Sequence, residues 1–189
     1  MHTDKRQLIL SGLSLTSGVG AIAMLFYYLS IADVVGIRDI WAIDRVVAYL
    51  LLFVGPLLIF LPLSIALRLG PLPIVGAFAW AALVYLLVFV PAPSPGSATF
   101  LDYVIFLAAT FFALGTLFVV PLGIVGKRFL PAASSLTTET VRAFREGALL
   151  AGAVVAIMAM SPVGVLNWLN GLLVLIIAAL TEFFFLARD

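Results

Sequence analysis

The chain has 189 residues and a formal net charge of +1, with 65% apolar and only 10% charged residues, and its mean hydropathy is +1.28, outside the range of soluble globular proteins. Lipid, not water, is the expected solvent for most of it. With no cysteine and a single histidine, His2, the sequence offers no disulfide, thiolate metal site, iron–sulfur cluster or paired axial haem ligation. Its ten basic residues, spread along the chain, make no basic face for nucleic acid. No cofactor, metal or nucleic-acid partner is expected.

A membrane-crossing helix needs about 17–25 mainly apolar residues, at 1.5 Å per residue across about 30 Å of hydrocarbon. Six stretches meet this, the fifth by including its flank: 8–31, 46–69, 74–90, 100–125, 144–160 and 165–187. The expectation is an all-α, polytopic integral membrane protein, one transmembrane domain formed as a six-helix bundle.

The first span follows Lys5-Arg6, and His2 lies in an N-terminus that reads as disordered. The basic pair, the apolar run and Ala21-Ile22-Ala23 imitate a secretory signal peptide. The run continues from Met24 to Ile31, too long for a signal core, so the segment reads as a retained span. Gly12, Thr16 and Gly20 recur at intervals of four, with Ser14/Gly18 and Ser17/Ala21 beside them. Small residues let helix backbones approach closely in lipid, so this stripe is the predicted packing face.

A charged loop from Ala32 to Arg45 leads to the second span, where Pro56 and Pro62 each remove a backbone donor and predict kinks. Gly70-Pro71-Leu72-Pro73 predicts a tight turn, and the Pro/Ser-rich segment Pro91 to Thr99 a second break. The fourth span opens on Thr99 and Asp102, spaced like a capping box, and carries Pro121 as a further kink. A longer loop is expected from Gly126 to Ala143. Within it, Thr137 to Gly147 reads as the charged start of a helix, with Glu139/Arg142 and Arg142/Glu146 at helical spacings. Its arginines suit anionic headgroups. The fifth span repeats the small-residue interval at Ala148, Gly152 and Ala156, and a turn at Ser161-Pro162 precedes the sixth.

With the N-terminus inside, Lys5, Arg6, Arg68, Lys127, Arg128, Arg142, Arg145 and Arg188 are inner and only Arg38 and Arg45 are outer. That bias predicts both termini inside, in a bacterial cytoplasmic membrane. Tyr27, Tyr28, Trp41, Tyr49, Tyr103 and Trp168 then fall near the outer interface, where aromatic belts form.

Glu182 is the one acidic residue well inside a span. Folding the last two spans about Pro162 brings position 182 level with Ala143, so an ion pair to Arg145 or Arg142 is predicted at the inner end. A proton relay is the competing reading of the same residue. On the outer side Asp33, Arg38, Asp39, Asp44, Arg45, Asp102, Asn167 and Asn170 form the one candidate polar cluster for a small molecule. For enzymes the inventory is poor: Ser64 and the serines of span one lack a base, and there are no paired intramembrane aspartates, no metalloprotease motif and no phosphate loop.

The C-terminal hairpin, from Arg145-Glu146-Gly147 through Leu166-Asn167-Trp168-Leu169-Asn170 to Glu182-Phe183-Phe184, resembles the end of small uncharacterised multi-span membrane proteins of candidate phyla radiation bacteria. The departure from that family is its Trp-Trp-Asn run, replaced here by Asn167-Trp168-Leu169-Asn170. The resemblance implies a membrane fold and carries no activity. By architecture alone, six spans, inner termini and a small-residue first helix are similar to the substrate-binding subunits of energy-coupling-factor transporters. The expected function is a non-enzymatic membrane subunit or scaffold acting through helix packing, its partners the lipid bilayer and other membrane subunits or further copies of the chain. The alternative is small-solute binding or transport.

Overall fold

The computed structural model describes residues 2–31, 34–37, 39–90, 99–129 and 136–188, with side chains described within 9–31, 34–37, 39–90, 99–126 and 140–185. Six helices account for nearly all of them: α1 (His2–Ile31), α2 (Ile43–Leu67), α3 (Leu72–Phe89), α4 (Phe100–Phe129), α5 (Leu136–Met160) and α6 (Trp168–Arg188). All six are long and apolar enough to cross a membrane, so the architecture is that expected of a multi-span membrane protein. The chain divides into two compact units, Met1–Ala98 and Thr99–Asp189.

Several boundaries move from their sequence positions for identifiable reasons. His2 is not in a disordered end but opens α1, since Lys5, Arg6 and Gln7 are good helix formers continuous with an apolar helix. Helix α2 stops at Leu67 because Arg68 adopts a left-handed conformation, φ 54° and ψ 39°. Its N–H bonds Ile65 O at 3.4 Å while Leu69 N–H bonds Ser64 O at 2.9 Å, the paired bonds of a Schellman ending. The Ser64 hydroxyl adds a third bond, to Leu69 O at 2.8 Å. The turn expected at Gly70–Pro73 is correspondingly shorter, because Leu72 and Pro73 already belong to α3, where a missing N–H in the first turn costs nothing. The long loop expected over 126–143 also contracts: α4 runs to Phe129 and α5 starts at Leu136, so the charged Thr137–Gly147 stretch is the first part of α5 itself. Helix α6 begins at Trp168, three residues later than read from hydropathy.

In the first unit α2 is central, packed against both α1 and α3. The α1/α2 crossing is set by Gly18 and Gly55. A Cβ on Gly18 would stand 2.7 Å from Ile59 Cγ1 and 3.0 Å from both Gly55 O and Ile59 N, so only hydrogen fits. Leu25, Val34, Ala48 and Leu52 form the buried core beside it, flanked by Tyr28, Leu29, Ala81, Val84 and Phe89. Pro62 has no N–H to give Leu58 O, the carbonyl one turn back. Ser14 of α1 supplies the missing donor at 2.8 Å, a cross-helix bond of the kind that makes prolines tolerable within spans.

In the second unit α5 is central, packed closely on α4 and less extensively on α6. A Cβ on Gly147 would lie 2.8 Å from Val119 Cγ2 and 2.9 Å from Gly115 O. Ala143, Gly147 and Ala151 are the buried small stripe of α5. None of the residues Trp168–Phe185 of α6 is buried.

Within each unit the closest glycine contacts fall on stripes beside those read from sequence. Around Gly12 and Gly20 a Cβ would meet nothing within 4 Å, and the Thr16 hydroxyl turns back onto Gly12 O and Leu13 O, each at 3.0 Å. The tight face of α1 is the neighbouring Ser14/Gly18 stripe. On α5, Ala148, Gly152 and Ala156 are half-buried, and a Cβ on Gly152 would make only an ordinary 3.7 Å contact with Phe111. Equal spacing on adjacent stripes cannot say which one faces a partner; the position of the partner's own glycine does.

Candidate functional site

Several polar groups of each unit lie at or near helix ends. In the first unit, Tyr28 near the end of α1 donates to Asp44 Oδ1 at the start of α2, at 2.5 Å. Arg45, one residue on, reaches back to the connecting segment and donates from Nε to Val34 O at 3.2 Å and from Nη2 to Val35 O at 3.1 Å. Val34 is thereby held fully buried. The Arg45 guanidinium also stands 5.6 Å from the Phe89 ring centre on α3, within cation–π range. Asp39 accepts from Trp41 N–H at 3.0 Å. These residues lock the α1–α2 connection onto the ends of α2 and α3. Below them Tyr49 packs against Tyr85 and Phe89, at ring-centre distances of 5.8 and 5.2 Å. The Tyr49 hydroxyl and the Trp80 Nε1 are buried without a hydrogen-bond partner.

In the second unit Asp102 and Thr99 cap α4 reciprocally. Thr99 N–H and Oγ1 each donate to Asp102 Oδ2 at 2.8 Å, and Asp102 N–H approaches Thr99 Oγ1 at 3.4 Å, the capping box anticipated from the spacing. Asn167 does the same work for α6, its Oδ1 accepting from Asn170 N–H at 2.8 Å while Asn170 Nδ2 donates to Val165 O at 2.7 Å. The side chains assigned by sequence to one polar cluster thus divide between the units. Asp39, Asp44 and Arg45 hold the first connection; Asp102, Asn167 and Asn170 start helices. Asp33 and Arg38 lie outside the described residues.

At the other end of the second unit, Arg145 Nη2 stands 3.1 Å from Glu182 Oε1, with about a fifth of each side chain exposed. The Arg145 guanidinium lies 4.9 Å from the Phe185 ring centre. Arg142 instead pairs within its own helix, Nε to Glu146 Oε1 at 2.6 Å, since an acid one turn along requires no second helix to be ordered. Glu182 Oε2 is buried without a hydrogen-bond partner. The arrangement neutralises an acid and a base at one point of the α5/α6 contact and fixes the register of that hairpin. Among the described residues no group of three or more His, Asp or Glu could hold a metal ion.

Sequence reasoning named Glu182 and Arg145 but missed Phe185 and the roles of Tyr28 and Arg45. Ser14 was findable: a proline inside a span frees the carbonyl four residues earlier, and a hydroxyl on the adjacent helix is its natural donor. Nothing in the sequence signals that Arg45 turns back to backbone carbonyls, because those carbonyls lie in an irregular segment. No protein family, curated protein or solved structure matches the chain, so a functional reading rests on its own residues.

Proposed function

We propose that this chain is a non-enzymatic subunit or scaffold of a bacterial cytoplasmic membrane, acting through helix packing, with both termini inside. One observation carries this reading: four sets of polar contacts hold helix to helix or helix to loop. Ser14 bonds Leu58 O, Tyr28 bonds Asp44, Arg45 clamps Val34 and Val35, and Arg145 pairs with Glu182. Meanwhile α6 keeps an apolar surface with none of its spanning residues buried, suited to lipid and to the helices of another subunit. Purification in mild detergent followed by mass spectrometry of the intact assembly tests it. A stoichiometric membrane partner or a defined oligomer is the expected result; a monomer that carries a small solute and no protein would replace it.

A further inference from the structure

We infer that the membrane surface dips at the α5/α6 hairpin, so that lipid headgroups and their water reach the Arg145–Glu182 pair from the lipid side of α6. The inference rests on the membrane-spanning reading and uses only helices of the second unit.

The depth of the pair follows from the α4/α5 contact. A Cβ on Gly147 would meet Val119, and one on Gly115 would meet Ala151. Position falls on one helix as it rises on the other, so the two are antiparallel and Arg145 is level with Pro121. From there α4 runs through Leu122, Gly123, Ile124, Val125 and Gly126 to Lys127, the first charged residue after Asp102. Ile124 and Val125 are exposed. Helix α6 repeats the count, with Phe183, Phe184, Phe185, Leu186 and Ala187 between Glu182 and Arg188. Each helix thus meets its flanking base six residues past the pair, about 9 Å at 1.5 Å per residue. From the opposite end, Trp168, where α6 begins, stands 14 residues before Glu182, about 21 Å and short of the roughly 30 Å of a hydrocarbon layer.

A flat membrane fitted to α4 would therefore immerse four charges, those of Arg142, Arg145, Glu146 and Glu182. They form two pairs, at 2.6 and 3.1 Å, and every one of the four side chains keeps part of its surface exposed. Among lipid tails such partly exposed pairs would lose hydration that their mutual attraction does not repay. Arginine ordinarily escapes by extending its stem toward the surface, but Arg145 is held by Glu182 Oε1 at 3.1 Å and by the Phe185 ring, 4.9 Å away. The bilayer is the softer component, because thinning has only a modest cost per ångström. Helix α6, with none of its spanning residues buried, lets lipid come up to the pair directly. The hydrocarbon beside α6 is then about 21 Å thick, while that beside α4 keeps its full depth.

The test uses the full chain, which has no native cysteine, in vesicles of phosphatidylethanolamine and phosphatidylglycerol. Nitroxide labels are placed singly through Phe183→Cys on α6 and Ile124→Cys on α4, both exposed positions, and their collisions with oxygen and with a water-soluble nickel chelate are compared. By the α4/α5 register Ile124 lies nearer the Lys127 end than Phe183 does, so in a flat membrane the Ile124→Cys label meets nickel more often. A dip inverts that order, and the Phe183→Cys label should meet nickel several-fold more often than the Ile124→Cys label. Equal access, or the flat order, would overturn the inference. Leu117→Cys, exposed near the middle of α4, is the control: it should meet oxygen and little nickel, and nickel access as free there as at the other two would overturn the spanning reading itself, and the dip with it. In the Arg145→Met/Glu182→Gln background the nickel access of the Phe183→Cys label should fall; no fall in a variant that keeps its monodisperse peak would show that the pair does not draw the surface inward. The first comparison needs no charge substitution and decides the matter whether or not that variant folds.

Discussion

Replacing Gly18 by alanine tests the α1/α2 crossing most directly, because the same helix supplies its own controls. The new Cβ would lie 3.0 Å from Gly55 O and Ile59 N and 2.7 Å from Ile59 Cγ1. The isoleucine can rotate, but the two backbone atoms can move only by separating the helices. Overpacking of a close contact costs roughly 1–3 kcal/mol, while exchange of glycine for alanine within a helix returns about 1 kcal/mol of propensity. At Gly12 and Gly20, where a Cβ meets nothing within 4 Å, only the propensity gain applies. That gain cancels in the comparison, so Gly18→Ala should be less stable than Gly12→Ala or Gly20→Ala by about 1–3 kcal/mol. Reversible unfolding in mixed micelles, followed by tryptophan fluorescence or by retention of the monodisperse peak after heating, would measure it. Equal stability of the three variants would show that the Ser14/Gly18 face is not a close contact, and greater loss at Gly12 or Gly20 would show that the stripe read from sequence is.

Other expectations follow from single contacts. Arg145→Met and Glu182→Gln should each destabilise by roughly 1–3 kcal/mol, between the value of an exposed pair and the loss from breaking a buried one. A double-mutant cycle should show positive coupling, and a coupling near zero would mean that the pair does not fix the α5/α6 hairpin. Ser14→Ala should cost about 0.6–1 kcal/mol, and this cost should shrink when Pro62→Ala restores a helical donor to Leu58 O; an unchanged cost would place the serine's contribution elsewhere. Thr99→Ala and Asn167→Ala should each remove about 1 kcal/mol by uncapping α4 and α6, readable as faster amide exchange in the first turn of the helix affected.

What the sequence determined by itself was whatever depends on composition and local order. Six apolar stretches of spanning length, the capping box at Thr99 and Asp102, and the level of Glu182 relative to Arg145 were all legible, because hydropathy, helix rise and a short hairpin turn are local quantities. The tertiary structure decided which of several equally spaced faces was used. Gly12/Thr16/Gly20 and Ser14/Gly18 have the same four-residue interval, and only the position of Gly55 on α2 selects the second stripe. It also decided what the polar residues do. Asp44, Arg45, Asn167 and Asn170 read as one outer cluster from charge and topology, yet each is used by a neighbour: a tyrosine hydroxyl, two loop carbonyls, a helix's first amides. Polar side chains near helix ends bond the backbone and side-chain groups closest to them, and in an irregular loop that partner is set by the folded path of the backbone, which no sequence interval records.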